Sequence, residues 1–523
     1  MFCENIILGA GPAGLQLAYY FKEEGIPYLV LERNAMAASF FTKYPHSRKL
    51  ISINKKNVGN DNPEFALRHD WNSLIDISGA RFTEKTDEYY PDREDLVDYM
   101  NEFAIRHKLT IKFNVNIIQI TKGDGYTLRA EDDIYTCKKL IVATGMSLPN
   151  IPQNFLMDTI TRPILHYAHY PPGYFQKKEN LALYKNKNLL IFGNGNSALE
   201  LGNLLNPLCS NIIIMGREYS KWAMSSHYVG HIRSVYLPYI DTFLLKSLNA
   251  LDTLCPVTWM FKQEGDRYRV FSNHYIDGAY QKREYKSGFD HIIFCTGWKF
   301  DSSIFKFELD TTMNEKYPRI NDKYESTNNL NLFFVGSIMH SLDFKKGSGG
   351  FIHGFRYLLK YFVSLNYTKK FDIITLSYDE LIPHILYKIN KSSALYQLYA
   401  QMADIIHLGD KITYINNVHV SSFTKEKYKF TKGVICKLTL EYGDPITDVL
   451  KGGQSVTTIG KESKALLLHP ILSFYNNDFS LLDVIHLDED LLADFETDTS
   501  KYKDRMERVF RMFIPTSSVA PSS

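Results

Sequence analysis

The sequence lacks a pair of cysteines that lie close together. Its six cysteines are spread over 523 residues, and the two nearest in sequence, Cys255 and Cys295, are 40 residues apart. Enzymes that pass electrons to disulfides usually carry a dithiol of the form C-x-x-C or C-x-x-x-x-C. The spacing therefore disfavours local dithiol chemistry, and we interpret the cysteines as small buried hydrophobic residues.

Long apolar runs and an excess of one charge are also lacking. No stretch of about 18 or more apolar residues occurs, which disfavours a membrane-spanning helix. Lys and Arg number 60 against 58 Asp and Glu, so no long-range field attracts nucleic acid or an anionic membrane. The first apolar run begins a few residues after Met1 and leaves no room for a charged leader. We therefore expect a cytoplasmic protein with neither nucleic acid nor membrane as a partner.

Metal-binding patterns are scarce. The segment His227-x-x-x-His231 would place two imidazoles on one face of a helix, but no Cys, Asp or Glu stands nearby at ligand spacing. We expect no metal site.

Glycines, in contrast, form two matching clusters. Each cluster follows a short apolar run and precedes a segment with helical periodicity, which predicts a strand, a tight turn and a helix that binds a dinucleotide. The first glycine permits the turn, the second lets the backbone approach a pyrophosphate, and the third position packs helix on strand. Amides at the helix start then hold the phosphate charge. Each glycine cluster is thus a dinucleotide fingerprint. The predicted contacts are Gly9, Gly11, Pro12, Ala13 and Gly14 in the first fingerprint and Gly193, Gly195, Asn196, Ser197 and Ala198 in the second.

Opposite charges stand where the next strand of each fold ends. Glu32 lies 23 residues after Gly9, and Arg217 lies 24 residues after Gly193. A carboxylate accepts hydrogen bonds from a ribose diol, whereas a guanidinium pairs with a 2′-phosphate. We therefore predict FAD at the first site, with Arg33 beside Glu32, and NADPH at the second. Lys221 either adds a second positive charge to that phosphate or is a solvated surface lysine.

The order of these segments predicts an α/β fold with two Rossmann-like dinucleotide-binding domains. Apolar runs at 139–145 and 290–297 both end in a small-residue turn, and the second fingerprint lies between them. This order indicates an NADPH domain inserted into an FAD domain. We predict an FAD domain at 1–150, an NADPH domain at 151–300, a closing part of the FAD domain at 301–366 and a mixed α/β region at 367–523. Further predicted cofactor contacts are Thr144, Gly145, Gly336, Ser337, Gly350 and Phe351.

Two segments outside the fingerprints also have informative patterns: the stretch at 34–92 and the C-terminal region. The loop-rich stretch at 34–92 is long for a compact domain, and such loops tend to be functional. In the C-terminal region, Ile382, Ile385, Leu386 and Ile389, followed by Leu395, Leu398, Met402 and Ile405, have helical spacing. Most of these apolar residues are expected to be core, and a homodimer contact is kept as a further hypothesis.

The motifs, read in order, resemble those of the class B flavin-containing monooxygenases over about the first 365 residues. The strings Leu67-Arg-His-Asp-Trp-Asn-Ser73 and Gly349-Gly-Phe-Ile-His-Gly-Phe-Arg-Tyr357 more closely resemble the FAD-dependent oxidoreductase domain-containing proteins. This sequence departs from the monooxygenase fingerprint F-x-G-x-x-x-H-x-x-x-[FWY]. Only His166 and Tyr170 match it, and Ile160 and Arg162 stand where Phe and Gly are expected. Some of these relatives are endoplasmic-reticulum proteins with a signal peptide and a retention signal, and their compartment is not transferred.

The resemblance implies that NADPH reduces FAD and that the reduced flavin forms a C4a-hydroperoxyflavin with oxygen. Such an enzyme would oxygenate a small nucleophilic substrate, such as a sulfide, an amine or an indole-like ring. By position, Asn54 resembles the asparagine that stabilises this intermediate, although an asparagine that stabilises a loop is an equal alternative. Arg48 and Arg68 are candidates for steadying negative charge. Two rivals stay open: an NADPH oxidase or thiol-linked reductase, and a partner-binding flavoprotein whose FAD is mainly structural.

Overall fold

A computed structural model gives the fold of the chain. It describes residues 1–151, 155–158, 160–216, 233–246, 251–253, 258–276, 279–312, 315–344, 346–428, 430, 432–443, 467–488, 490, 493–495 and 499–513.

The first parallel sheet has five strands and is assembled from distant parts of the chain. In spatial order the strands are Leu332–Phe334, Lys139–Val142, Asn5–Leu8, Leu29–Leu31 and Ile111–Lys112. The strand Asn5–Leu8, which leads into the first fingerprint, is central. The chain continues from it to Leu29–Leu31 on one side and later to Lys139–Val142 on the other side. Ligands of open parallel sheets bind at such a switch point, at the carboxyl ends of the strands.

The second parallel sheet repeats this arrangement. Its strands, in spatial order, are Leu165–His166, His291–Phe294, Asn188–Phe192, Asn211–Gly216 and Leu251–Thr253. The chain leaves the first sheet before this unit and returns to it afterwards, at Leu332–Phe334. Because the outgoing and returning segments pair with each other as strands Leu148–Pro149 and Trp298–Lys299, the two nucleotide folds are joined by a double connection.

Three antiparallel or mixed sheets complete the described strands. A four-stranded sheet (Ala279–Phe289, Arg267–Ile276, Thr258–Glu264, Phe155–Asp158) covers the second nucleotide fold, and a three-stranded sheet (Gln119–Lys122, Tyr126–Arg129, Ile134–Cys137) belongs to the first. The C-terminal region forms a six-stranded sheet in the order Ile373–Leu376, Ile412–His419, Met402–Leu408, Val434–Glu441, His469–Tyr475 and Leu481–His486.

Ten α-helices are described, and their ends follow local sequence rules. Helix α1 has Pro12 at its first turn, where a missing amide proton is harmless. Asp92 and Asp95 cap the start of α3 reciprocally, and Ser377 and Glu380 do the same for α8. The bounds are α1 (Pro12–Glu23), α2 (Pro63–His69), α3 (Arg93–Arg106), α4 (Lys178–Ala182), α5 (Asn196–Leu205), α6 (Leu237–Lys246), α7 (Ile352–Val363), α8 (Tyr378–Lys391), α9 (Ser393–Gln397) and α10 (Thr499–Phe513).

The predicted helical spacing in the C-terminal region holds for the first part of the segment and for Leu395, which lies in α9, whereas Leu398 directly follows that helix. Residues 382–389 lie in α8, as expected. Met402 and Ile405 instead lie in the strand Met402–Leu408, so the prediction was wrong for them. That strand is central in the six-stranded sheet and buried on both faces, and such strands carry apolar residues without a strict alternation. A short apolar run of this kind does not distinguish helix from strand.

The C-terminal region shares its hydrophobic core with the first nucleotide fold. One buried cluster runs from the first sheet through α7 to α8 and the six-stranded sheet, whereas the second nucleotide fold has two clusters of its own. Residues after 366 are therefore packed as an extension of the first fold. Among the described helices, none has the length and apolar content that crossing a bilayer requires.

Candidate functional site

A cavity of about 920 Å³ lies where both nucleotide folds and the C-terminal region meet. Eleven of the predicted cofactor contacts line it: Gly11, Pro12, Ala13, Thr144, Gly145, Asn196, Ser197, Gly336, Ser337, Gly350 and Phe351. The tertiary structure thus brings together, around one cavity, the two fingerprints, the turn at Thr144 and Gly145, and the closing part of the FAD domain.

The three glycines of the first fingerprint have three different surroundings. Gly9 has φ +107°, and a Cβ there would lie 2.9 Å from the carbonyl oxygen of Ala143. A Cβ on Gly14 would lie 2.0 Å from the carbonyl oxygen of Gly9, so helix and turn are in contact at this point. A Cβ on Gly11 would meet no atom within 4 Å. The open side of Gly11 is a cradle of the kind that a pyrophosphate fills, which fits FAD.

The second fingerprint repeats this geometry. A Cβ on Gly193, at φ +117°, would lie 2.2 Å from the carbonyl oxygen of Cys295, whereas a Cβ on Gly195 would meet nothing within 4 Å. Ala198 is fully buried in the packing of α5. The side-chain oxygen of Asn196 is buried without a hydrogen-bond partner at the cavity wall. An unpartnered polar atom beside an open helix start fits a second dinucleotide.

Glu32 lies directly beside the first fingerprint, as its spacing predicts. It follows the strand Leu29–Leu31, and its Oε2 accepts a hydrogen bond of 2.9 Å from the amide of Ala10. Its Oε1 accepts from the amide of Asn34 at 3.0 Å. Arg33 is exposed. The role of Glu32 toward a ribose stays a prediction, and Arg217, Lys221, His227 and His231 lie outside the described residues.

The closing segment packs tightly on the first fingerprint. Gly336 has φ +79°, and a Cβ there would lie 2.5 Å from the Cβ of Ala13. Gly350 lies against the ring of His340, which a Cβ would approach to 3.0 Å. The segment therefore brings the start of α7 to the cavity that α1 also faces. A helix start with its free amides suits the electron-rich edge of a flavin, which is a second point of fit for FAD.

Two of the three predicted catalytic residues do not line the cavity. Arg48 is half-exposed and pairs with Glu94 at 3.1 Å on the surface. Asn54 is buried in a short bridge to Asp70, and its Nδ2 donates to the carbonyl of Thr86 at 2.7 Å. These contacts stabilise the loop, and the catalytic roles of both residues stay predictions. Arg68 does line the cavity and is 2% exposed.

The sequence reasoning missed a large part of the cavity wall. The long loop supplies Phe40, Tyr44, Trp71 and Asn72, and the C-terminal region supplies Tyr396, Gln397, Tyr399, Tyr442 and Leu467. The length of the loop was a usable signal for the first group. No motif marks the second group, because those residues reach the cavity only through the shared core.

Glu200 connects the two nucleotide folds at the cavity wall. It belongs to α5, and its Oε1 accepts from the amide of Ser47 at 2.6 Å. Its Oε2 accepts from the hydroxyl of Tyr167 at 2.8 Å, and the same hydroxyl accepts from the amide of His46 at 3.0 Å. Burial outweighs these hydrogen bonds and raises the pKa of the Glu200 carboxyl to about 7.

This shift predicts a specific pH dependence of stability. The folded protein holds a proton on Glu200 up to about pH 7, whereas the unfolded chain releases it near its ordinary pKa of about 4.3. Stability should therefore fall by about 3 kcal/mol as pH rises between these values, and Glu200→Gln should lack this component. The check is the melting temperature of both FAD-loaded proteins from about pH 5 to about pH 8, without nicotinamide coenzyme. Parallel curves would contradict the assignment.

Thiols are absent from the described lining of the cavity. Burial raises the pKa of Cys295 and Cys436 well above the ordinary value and that of Cys137 to about 12. Thiols in this state are poor nucleophiles. Cys3 and Cys209 are also free and have raised pKa values, and Cys255 lies outside the described residues.

Comparisons with known proteins agree with this geometry. The family described as pyridine nucleotide-disulphide oxidoreductase matches residues 6–336. The FAD-dependent oxidoreductase domain-containing protein 2 of Mus musculus is 31% identical over 514 residues, which cover 90% of this chain and 76% of that protein. The probable indole-3-pyruvate monooxygenase YUCCA4 of Arabidopsis thaliana is 26% identical over 203 residues, 38% of this chain and 42% of that protein. A flavin-containing monooxygenase from Stenotrophomonas maltophilia shares the fold, with a TM-score of 0.50 and 17% identity over 69% of this chain and 98% of that one.

The fold and the shared cavity define a flavoprotein oxidoreductase with two dinucleotide sites. The chain belongs to the pyridine nucleotide-disulphide oxidoreductase family and, within it, to the FAD-dependent oxidoreductase domain-containing proteins. This membership confirms the predicted fold class, the resemblance, and FAD and a pyridine nucleotide as cofactors.

Proposed function

We propose that this enzyme is a monooxygenase that uses NADPH, FAD and oxygen to oxygenate a small organic substrate. The observation that carries the proposal is that both fingerprints open on one aromatic-lined cavity whose described wall contains no thiol. Electrons that reach a flavin in such a cavity have oxygen as their natural acceptor. The similarity to a protein named as a probable indole-3-pyruvate monooxygenase supports the same direction.

Bound FAD would accept a hydride from NADPH and activate oxygen. The reaction balances when NADPH, a proton, oxygen and substrate give NADP⁺, water and the oxygenated substrate. The protein would hold the two coenzymes at the starts of α1 and α5 and exclude water with aromatic side chains. Asn72, whose Oδ1 accepts from the Ser52 hydroxyl at 2.6 Å, is an asparagine of the same long loop that does line the cavity.

Two finer points belong to the same proposal. The proposed preference for NADPH over NADH rests on Arg217, which directly follows the strand Asn211–Gly216 in sequence, and Lys221 stays either a second positive charge for the phosphate or a solvated surface lysine. A sulfide, an amine or an indole-like ring is the class of substrate that such chemistry oxygenates.

The partner-binding rival is weakened because the C-terminal region shares one core with the first fold and is a wall of the cavity. The homodimer stays a hypothesis.

The test is the coupling between NADPH consumption and oxygenated product. The purified, FAD-loaded enzyme is supplied with NADPH, oxygen and a panel of sulfides, amines and indoles, and hydrogen peroxide is measured in parallel. We expect at least one class to raise NADPH consumption and to lower the share of peroxide. Quantitative release of peroxide with every compound would identify an NADPH oxidase, and NADPH-dependent reduction of a low-molecular-weight disulfide would identify the thiol-linked rival.

A further inference from the structure

Arg68 is a buried cation with few partners: burial lowers the pKa of its guanidinium, and the nearby charge of Asp494 opposes that shift. It is 2% exposed, yet no carboxylate in the described part of the chain forms an ion pair with it. Within those residues its guanidinium makes one hydrogen bond, from Nη1 to the carbonyl of Asn390, and its Nε is buried without a partner. Its guanidinium lies over the ring of Tyr396, 4.0 Å from the ring centre. A buried charge in this condition is unfavourable unless a ligand supplies the opposite charge.

A second buried arginine, Arg356, differs from Arg68 in the hydrogen bonds of its Nη groups and in its position. Arg356 is fully buried and donates to the carbonyls of Ser73 and Leu67 at 2.8 and 2.7 Å. It does not line the cavity, whereas Arg68 does. The Nε of each arginine is buried without a partner among the described residues, so the difference lies in the Nη groups, both of which donate in Arg356 and only one of which donates in Arg68, and in the position of Arg68 at the cavity.

The charges of the cavity wall reinforce this difference. Its basic residues are Lys55, Arg68 and Arg233, and Glu200 is the sole carboxylate among the described lining residues. Glu200 is occupied by contacts between the two nucleotide folds. Among the described lining residues, basic side chains thus outnumber carboxylates, and the wall suits an anion.

The surroundings of Arg68 are aromatic and belong to the C-terminal region. Tyr396, Tyr399 and Tyr442 line the cavity, and the last two meet edge to face at 4.9 Å between ring centres. Trp71 stacks on the ring of His353 at 5.5 Å, and burial lowers the pKa of that histidine to about 3, so the pair is neutral. Flat apolar groups pack well on such surfaces.

We propose that this side of the cavity binds an aromatic carboxylate, whose acid group pairs with the guanidinium of Arg68 and whose ring packs among Trp71, Tyr399 and Tyr442. The planar fork of arginine matches a carboxylate in two parallel hydrogen bonds, which a point charge does not achieve. This inference rests on the proposed function in one respect: it names the substrate class of that reaction.

A coenzyme phosphate is the other source of negative charge. The pyrophosphates belong at the starts of α1 and α5, whereas Arg68 lies in α2 and contacts α8 and α9. None of its contacts is with either fingerprint. The geometry therefore favours the substrate, and the experiment below separates the two sources.

The experiment measures binding, without NADPH, of three probes that share one ring and differ in charge. Indole-3-acetate, indole-3-acetamide and tryptamine are titrated calorimetrically into the FAD-loaded enzyme. We expect the acid to bind about tenfold or more tightly than the amide and tryptamine to bind most weakly, because a charge-assisted pair is lost and then reversed. Equal affinities for acid and amide would overturn the proposal.

Variants then assign the preference to Arg68. Arg68→Gln should weaken the acid about tenfold and leave the amide within about twofold, and Arg68→Lys should fall between. Arg129→Gln, an exposed arginine on a strand outside the cavity wall, is the matched control and should change neither. An acid preference that survives Arg68→Gln contradicts the proposal, as does a raised KM for NADPH with unchanged discrimination, which would assign Arg68 to a coenzyme phosphate.

The outcome is separate from that of the proposed function. Binding of the acid is measured without turnover, so complete release of peroxide in the coupling assay would refute the monooxygenase and leave the anion site standing. If Arg68→Gln fails to fold, the comparison of acid and amide on the unaltered enzyme and on Arg68→Lys still decides.

Discussion

Gly11→Ala should yield a folded but colourless protein, and Gly195→Ala a yellow protein that NADPH reduces slowly. Both glycines have backbone angles that alanine adopts freely, φ −72° and −85°, and a Cβ at either position meets no protein atom within 4 Å. The added methyl group therefore conflicts only with the ligand. Forcing a methyl group into a packed contact costs about 1–3 kcal/mol, which corresponds to a loss of roughly ten- to hundredfold in affinity.

The measurements are the flavin content after purification, the circular dichroism spectrum and the rate of flavin reduction by NADPH without oxygen. Gly14→Ala is the matched control, because its Cβ would lie 2.0 Å from a backbone oxygen and the variant should lose stability as well as FAD. If Gly11→Ala retained FAD at the normal level, the first site would be misassigned. The same holds for the second site if Gly195→Ala were reduced at the normal rate.

Arg356→Met should destabilise the unit formed by the first fold and the C-terminal region by roughly 3 kcal/mol or more. Arg356 is fully buried and ties α7 to carbonyls of the long loop at Ser73 and of α2 at Leu67. Methionine fills much of the volume but leaves both carbonyls without a donor, and each unsatisfied buried group costs about 1–3 kcal/mol. The result should be a single lowered melting transition with early loss of FAD.

The measurement is the melting temperature of the FAD-loaded protein, followed by both flavin fluorescence and circular dichroism. Arg129→Met on an exposed strand is the control, since surface changes away from special contacts usually stay within about 0.5 kcal/mol. A normal melting temperature for Arg356→Met would mean that these hydrogen bonds are replaced by other donors.

Features that depend on neighbouring residues could be predicted from the sequence. The turn at Gly9 needs a positive φ, the packing at Gly14 excludes a side chain, and both requirements repeat at the second fingerprint within a few residues. The reciprocal hydrogen bonds of Asp92 and Asp95 likewise fix the start of α3 through neighbouring residues. Such features are readable because the interacting residues are neighbours in sequence.

Features set by residues that are distant in sequence were not predictable in this way. Asn54 was selected by its position after the fingerprint, but its surroundings are set by Thr86 and Asp70, on other parts of the same loop. Met402 and Ile405 were read as helical because the period of a short apolar run is ambiguous. Their strand pairs with Ile412–His419 and Val434–Glu441, and this pairing makes them part of a sheet. No local sequence pattern predicts it.

By itself, the sequence determined that this protein is built on two dinucleotide folds, one inserted in the other, because each fingerprint is a local solution to binding a pyrophosphate. Only the tertiary structure decided which side chains face the shared cavity, that the C-terminal region is one of its walls, and that Arg68 is buried there without an ion pair to a described carboxylate. The physical reason is distance along the chain: the contact of Arg68 with Asn390 joins residues 322 apart. Burial and charge balance at such a contact depend on how the whole core packs.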